Sequence, residues 1–191
     1  GGGLVCSSSA ACVGASSDTF HYVQTQESGD IEVLLFVSLA GTNAILTSGA
    51  RVGLMIRETL EPTSRHFSAL VERYEISNKQ KLSRFSRFRE GFVTTGADGP
   101  DLDPPQPVLW LKITKSGDAF TASYSFDSAQ WTEWLYSSTT ISSFSDQFYV
   151  GMFVAAGSDD VLQARNFTVS KPTVRFFRCN LMACIFVFSL L

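Results

Sequence analysis

The chain has 191 residues, of which 45% are hydrophobic and 17% are charged, so there is enough apolar material for a real core. This composition excludes a largely disordered protein, because disordered chains lack the apolar residues that a core needs. The 15 basic and 18 acidic residues give a formal net charge of -3, without the basic excess of a nucleic-acid-binding protein. We therefore expect one globular domain and no nucleic-acid partner.

Alternating apolar and polar residues, interrupted by turn residues, predict a succession of β-strands. In the first part of the chain these strands are expected at residues 18–23, 31–39, 51–57 and 65–74. The loop at residues 58–64 contains Pro62 and separates the last two. These strands are short and closely spaced, as in a β-sandwich.

The clearest hairpin is predicted at residues 108–126, where two alternating runs flank the turn at residues 115–118. In its second arm Phe120, Ala122 and Tyr124 share one face, which is the two-residue period of a half-buried strand. Residues 147–155 and 164–169 supply the last predicted strands. No apolar pattern of helical period occurs, so the sequence predicts an all-β, antiparallel fold, either a two-sheet sandwich or a barrel.

Two further segments lie between the predicted strands. Residues 79–89 carry five basic residues interleaved with Phe85 and Phe88, which suits either an edge strand or a patch for acidic polymers. We favour the edge strand, since lysine and arginine discourage edge-to-edge pairing. The proline-rich residues 99–107 are expected to form a surface connection, because proline cannot donate to a sheet ladder.

The two ends are expected to lie outside the sandwich, which we place at residues 15–171. Residues 1–14 are expected to be a flexible segment or an incomplete edge strand, and a chain that starts with glycine is expected to be a fragment or a processed product. Residues 172–191 form a hydrophobic tail, and its apolar run at 181–191 is too short for a membrane-spanning helix. A membrane partner is therefore expected only through this tail.

The four cysteines, Cys6, Cys12, Cys179 and Cys184, all lie in these ends. Two close pairs of cysteines separated by a whole domain do not have the spacing of a zinc site. A disulfide that joins the two termini is possible. The sequon at Asn166 is compatible with an extracellular protein.

Several segments resemble a known family in order and spacing. The chain is similar to the concanavalin A-like jelly-roll modules that are appended to secreted glycoside hydrolases and are related to the C-terminal sandwich of β-xylosidases. The segments that carry the resemblance are residues 16–22, 28–33, 53–58, 64–66, 110–118, 124–131 and 149–152. The chain departs from the family in having no tryptophan in residues 1–14 and Asp127-Ser128 where an Asp-Gly turn is usual.

The resemblance implies a carbohydrate partner, an extracellular location and a covalently linked catalytic domain in a longer parent. Some glucanases on this fold carry closely spaced carboxylates on one strand, as retaining hydrolysis requires. The nearest segment here, residues 27–32, places a Ser-Gly turn between its acids. We therefore expect a non-catalytic module that binds carbohydrate or supports a glycan-active domain. The second interpretation is a structural or protein-interaction sandwich without a sugar site, and the third is a glycoside hydrolase.

Arg57 and His66 flank the loop at residues 58–64, and paired strands would project both side chains onto one face. Such a polar pair suits sugar hydroxyls. The alternative is that Arg57 pairs with a carboxylate and holds the loop.

Trp131, Trp134 and Tyr136 form an aromatic group after the hairpin, and exposed flat rings are suited to stacking on sugar rings. The alternative is that the tryptophans pack in the core. No metal or other cofactor is expected. Asp98, Asp101 and Asp103 could offer oxygens to calcium, but no glutamate clamp accompanies them and prolines crowd the loop.

Overall fold

The computed structural model describes residues 16, 18, 20–38, 51–73, 80–103, 106, 108–155 and 163–170. Within these residues there are eleven strands and no helix, so none of the described segments could cross a membrane as a long apolar helix. The strands are β1 (His21–Ser28), β2 (Ile31–Ser38), β3 (Arg51–Arg57), β4 (His66–Arg73), β5 (Gln80–Arg87), β6 (Thr95–Leu102), β7 (Val108–Ser116), β8 (Ala119–Ser125), β9 (Thr132–Thr140), β10 (Gln147–Ala155) and β11 (Gln163–Ser170).

The strands form two antiparallel sheets. The six-stranded sheet has the order β1-β10-β3-β4-β5-β6, and the five-stranded sheet has the order β11-β2-β7-β8-β9. The all-β, two-sheet sandwich predicted from the sequence is therefore confirmed. Its finer assignment as a concanavalin A-like jelly roll stays a prediction.

The core lies between the two sheets. Side chains alternate inward and outward along β2 and β7, so that Val33, Leu35 and Leu111 are buried while their neighbours are partly exposed. Phe67 of the six-stranded sheet stacks on Phe120 of the five-stranded sheet, with 5.3 Å between ring centroids. Each fully buried side chain of this kind contributes roughly 1.5–3 kcal/mol to folding.

The six-stranded sheet is also buried on much of its outer face. Met55, Leu70 and Phe153 form a second cluster there, against which Phe20, Tyr22 and Phe85 pack. Tyr22 reaches across the sheet, and its hydroxyl donates a hydrogen bond to the Met55 carbonyl at 2.9 Å. Phe20, which precedes β1, and Tyr22 thus lie against this outer face.

Gly53 permits a close approach of β3 to β4. A Cβ atom at this position would lie 2.2 Å from the Ala69 carbonyl oxygen and 2.7 Å from the Leu70 Cα. Since both contacts are to the main chain of the paired strand, no side-chain movement would relieve them. Only glycine fits there.

The structure corrects two strand predictions. Residues 80–87 form β5, an interior strand between β4 and β6, so the prediction of an edge strand was wrong. Its basic side chains are divided between the two faces, and Arg84 lies on the core side with its guanidinium 6.0 Å from the Phe67 ring. Residues 99–102 belong to β6, although residues 99–107 were expected to form a surface connection. Pro100 is tolerated because β6 is an edge strand with an irregular register.

Several predictions fall outside the described residues. These are the N-terminal segment at residues 1–14, the tail at residues 172–191 and the four cysteines. They stay predictions.

Candidate functional site

Arg57 and His66 lie side by side on the outer face of the six-stranded sheet. They are direct cross-strand partners at the ends of β3 and β4, on either side of the loop at residues 58–64. Paired residues of an antiparallel ladder point to the same face, so the predicted pairing of these strands is confirmed. Arg87 of β5 is in turn the partner of His66. We call Arg57, His66 and Arg87 the basic row.

Asp18, from the segment before β1, inserts its carboxylate into the basic row. Arg87 donates to both carboxylate oxygens, with 2.6 Å from Nη2 to Oδ1 and 2.9 Å from Nη1 to Oδ2. Arg57 Nη2 and His66 Nδ1 each lie 3.6 Å from Asp18 Oδ2. The Arg87–Asp18 pair therefore has the two-pronged geometry that makes arginine–carboxylate pairs strong, whereas the other two contacts are longer than hydrogen bonds.

The basic row is removed from solvent and carries two positive charges. Arg57 is 3% exposed, and His66 and Arg87 are fully buried. Burial, followed by the charges of Arg87 and Arg57, holds the pKa of His66 well below its usual value, so the ring is neutral at pH 7. Two guanidinium groups thus face the single carboxylate of Asp18.

The position of Arg57 matches the alternative interpretation from the sequence. Arg57 Nε donates to the Thr59 carbonyl at 2.7 Å, and its Nη2 donates to the Glu61 carbonyl, so the side chain holds the loop. In this arrangement neither Arg57 nor His66 presents an atom to a ligand at the surface. The sequence did not single out Asp18 or Arg87. The signal that could have found Arg87 is its place in the alternation of β5, two residues beyond Phe85.

A second polar group occupies the opposite end of the same face. Glu72 accepts from Arg51 Nε at 2.9 Å and from the Ser83 hydroxyl, while Lys81 forms an ion pair with Asp98. Glu72 and Asp98 lie on β4 and β6, with β5 between them, which places their backbones about 10 Å apart. Each of these carboxylates is engaged by a cation.

The acidic loop does not assemble into a metal site in the described residues. Asp98 is engaged by Lys81. No group of three or more histidine, cysteine, aspartate or glutamate side chains in the described part of the chain could hold a metal ion.

The outer face of the five-stranded sheet presents a separate set of aromatic rings. Phe36 and Trp110 are cross-strand partners on β2 and β7, with 5.0 Å between ring centroids. Trp131 lies close to Lys112 of β7, whose ammonium is 4.4 Å from the centroid of its ring. Lys112 also pairs with Glu32 at 3.6 Å. We call the partly exposed Phe36, Trp110 and Trp131 the aromatic face.

Strand β9 divides the other two predicted aromatic residues between core and surface. Trp134 is 8% exposed and packs against Tyr124, with 6.2 Å between centroids. Tyr136 is 67% exposed and has φ of +62°, a left-handed conformation that is rare for bulky residues. Trp134 thus belongs to the core, whereas Tyr136 stands on the surface.

The cause of this division is an irregularity in the pairing of β8 with β9. Thr121 is paired with Ser138, but Ser123, two residues on, is paired with Glu133. The extra residues of β9 form a bulge that buries Trp134 and exposes Leu135, at 74%, beside Tyr136.

The five site residues predicted from the sequence are therefore not brought together. Arg57 and His66 lie in the basic row and Trp134 lies in the core. Trp131 lies near Lys112 on the outer face of the five-stranded sheet, and Tyr136 is exposed on its edge strand β9.

No protein-family model matches this chain, and no curated protein matches it. Among solved structures, it is similar to a functionally unknown protein from Saccharomyces cerevisiae, with a TM-score of 0.64 and 13% identity over 86% of this chain and 84% of that chain. It is also similar to the GH43 protein BlXynB from Bacillus licheniformis, with a TM-score of 0.52 and 13% identity over 75% of this chain and 31% of that chain. At these identities the similarities show the fold alone.

Proposed function

We propose that this chain is a non-catalytic module that binds carbohydrate on the outer surface of its five-stranded sheet. The observation that carries the proposal is the aromatic face, which places two tryptophans and a phenylalanine, all partly exposed, on one side of the sheet. Aromatic rings provide flat apolar surfaces against which the C–H faces of sugar rings pack. A contiguous aromatic surface on the outside of a domain is typical of an interaction site, so a ligand would account for these rings.

Polar groups beside Trp131 suit sugar hydroxyls. Lys112 occupies a position over the indole ring, and its ammonium is held between Trp131 and Glu32. This leaves an ammonium donor and a carboxylate acceptor next to an apolar ring surface. A pyranose has the same combination of an apolar face and a polar rim, so the arrangement is complementary to it.

Tyr136 extends the proposed binding surface along β9. It lies five positions after Trp131, and part of the β9 bulge stands between the two residues. Its left-handed backbone has a cost of order 1–3 kcal/mol, and such conformations cluster at binding sites. We propose that Trp131 and Tyr136 mark two contact points for an extended glycan. Trp134 in the core and Arg57 and His66 on the six-stranded sheet support the fold.

The absence of catalysis is part of the proposal. Its support is that Asp18, Glu72 and Asp98 are each engaged by a cation on the six-stranded sheet, away from the aromatic face. An extracellular location and a covalently linked glycan-active domain are supported by the resemblance of the sequence motifs to modules appended to glycoside hydrolases. Detection of the protein in the culture medium would test the location, and the sequence of the full-length parent would test the linked domain.

A structural or protein-interaction sandwich is the second candidate, and one observation favours it. The loops at residues 58–64 and 88–94 contact each other through a hydrogen bond from Gly91 N to the Thr63 carbonyl at 3.0 Å. They display large apolar side chains, namely Leu60, Phe88, Phe92 and Val93. A patch of this kind suits a protein partner better than a sugar.

The two candidates are separated by binding of the whole chain to a broad panel of insoluble and immobilised polysaccharides. We expect the wild type to be retained by at least one glycan, and Trp131→Ala and Tyr136→Ala to lose retention. Phe92→Ala removes an exposed ring from the loop patch and is expected to bind as the wild type does. If a folded wild type is retained by nothing in the panel, the carbohydrate proposal fails and the second candidate replaces it.

A further inference from the structure

The guanidinium groups of the basic row are held by main-chain carbonyls, independently of Asp18. Arg87 Nε donates to the Phe92 carbonyl at 3.0 Å, and Nη1 donates to the carbonyls of Pro62 and Ser64 at 3.0 and 2.9 Å. Arg57 is fixed in the same way by Thr59 and Glu61. Both positive groups are therefore oriented before any carboxylate arrives, which lowers the entropic cost of binding one.

Asp18 is attached differently from the residues that it meets. It lies outside the strands, 69 positions before Arg87 in the sequence, whereas Arg57, His66 and Arg87 stand on three neighbouring strands. Its main chain is joined to the loop by a hydrogen bond from Asp18 N to the Pro62 carbonyl at 2.9 Å. The sheet thus provides a rigid cationic receptor, and a connecting segment provides the anion.

The fit of Asp18 leaves hydrogen-bonding capacity in the basic row unused. Arg57 Nη1 has only the Met55 sulfur as an acceptor in the described residues, at 3.9 Å. His66 Nε2 has no hydrogen-bond partner in the described structure, although it is fully buried. Buried polar atoms without partners are costly, so they point to an absent ligand.

We infer that Arg57 and Arg87 form a carboxylate-binding site that Asp18 of the same chain occupies, and that an external carboxylate takes its place when Asp18 is removed or displaced. The two-pronged contact of Arg87 fits any carboxylate. A carboxylate that carries a neighbouring hydroxyl would also satisfy Arg57 Nη1. The external ligand is therefore an acidic sugar, and this choice among carboxylates rests on the proposed function.

The inference is tested by thermal unfolding of the whole chain and its Asp18→Ala variant in sodium glucuronate, sodium acetate, glucose and sodium chloride, at matched ionic strength for the salts. A ligand that binds only the folded state raises the unfolding temperature with its concentration. We expect glucuronate and acetate to raise that of Asp18→Ala, with glucuronate effective at a roughly tenfold lower concentration. Glucose and chloride are expected to have no such effect, and the wild type is expected to respond at least about tenfold more weakly, since Asp18 competes for the site.

A second variant shows whether the response arises at the basic row. Adding Arg87→Gln to Asp18→Ala is expected to abolish it. If Asp18→Ala does not fold by itself, a cooperative transition that appears only in acetate or glucuronate supports the site.

Three results would overturn the inference. In the first, neither carboxylate raises the unfolding temperature of Asp18→Ala. In the second, chloride raises it as much as the carboxylates do. In the third, the rise persists after Arg87→Gln is added. A response to acetate without one to glucuronate would overturn the choice of an acidic sugar. The response to acetate tests the carboxylate site without any sugar. It can therefore succeed or fail independently of whether the aromatic face binds glycans.

Discussion

Asp18 and Arg87 form a fully buried, two-pronged ion pair between the segment that precedes β1 and the end of β5. The pair attaches the segment before β1 to the outer face of the six-stranded sheet. Arg57 and His66 also lie next to the Asp18 carboxylate there. A charge in such a place is tolerated only with its partner. The contact therefore couples the position of Asp18 to the stability of the whole sheet.

Asp18→Asn is expected to lower the free energy of unfolding by about 3–5 kcal/mol, because it leaves the buried guanidinium groups without a counter-charge. Chemical denaturation followed by circular dichroism measures this change. Asp146→Asn, at an exposed position before β10, is the matched control and should stay within about 0.5 kcal/mol of the wild type. A loss of under about 1 kcal/mol in Asp18→Asn would show that the pair contributes little.

His66 should make stability depend on pH. Its pKa lies well below the usual value, because of burial and the charges of Arg87 and Arg57. Below about pH 6.5 the unfolded chain therefore binds a proton that the folded protein does not. Stability should fall as the pH drops from 6.5 towards the pKa of the folded state, by up to about 1.4 kcal/mol per pH unit.

His66→Gln removes this titration and should flatten the profile of unfolding free energy between pH 6.5 and 5. Burial raises the pKa of Asp18, against the opposing effects of Arg87 and Arg57, so the folded protein binds a proton at Asp18 more readily than the unfolded chain does. Protonation of Asp18 therefore raises the free energy of unfolding as the pH falls, which is opposite to the effect of His66. The Asp18 group and His21 stay in both proteins, so the difference between the two profiles isolates His66. Parallel profiles would contradict the buried neutral ring.

Much of the sandwich could be predicted because its signals are local. The β7–β8 hairpin follows from strict alternation on both sides of the turn at Gly117, which has φ of +54°. Strand β5 was misassigned as an edge because its basic residues are typical of exposed strands, whereas here they face partners on both sides of an interior strand. Strand β9 was missed because its bulge breaks the two-residue period at Leu135 and Tyr136.

The site could be predicted only in part. The pairing of Arg57 with His66 follows from the loop between their strands, since neighbours in sequence often pair. The contact between Asp18 and Arg87 could not be predicted, because nothing in one sequence relates residues so distant along the chain. The burial of Trp134 depended on the bulge that the sequence pattern concealed.

Gly53→Ala is expected to destabilise the protein by at least about 2 kcal/mol, because the new methyl group would overlap the β4 main chain. The matched control is Gly29→Ala. A Cβ atom at Gly29 meets nothing within 4 Å, and the cost there comes only from its positive φ of +73°, roughly 1–2 kcal/mol. Equal unfolding temperatures for wild type and Gly53→Ala would contradict the close approach of β3 to β4.

Trp134→Ala and Trp131→Ala should differ strongly in their effect on stability. Removing the core ring of Trp134 is expected to cost about 3–5 kcal/mol, whereas the partly exposed Trp131 should cost about 1 kcal/mol or less. Denaturation curves of the two variants make the comparison. A similar loss in both would mean that Trp131 also serves mainly as a packing residue.

Tyr136→Gly is expected to keep or raise the unfolding temperature while weakening glycan binding. Glycine adopts the left-handed conformation without steric cost, and the exposed ring contributes little packing. Tyr136→Ala removes the same ring but keeps the backbone strain. If Tyr136→Gly binds glycan as well as the wild type does, the ring is no part of the binding surface.

The central claim, that the outer surface of the five-stranded sheet binds carbohydrate, is tested most directly by calorimetric titration of wild type and Trp131→Ala with a soluble oligosaccharide of the glycan that retains the chain. We predict that Trp131→Ala binds at least about tenfold more weakly, which corresponds to roughly 1.4 kcal/mol of binding free energy, with an unfolding temperature close to that of the wild type. Equal affinities for the two proteins would contradict the claim, and so would a folded wild type for which no glycan is found.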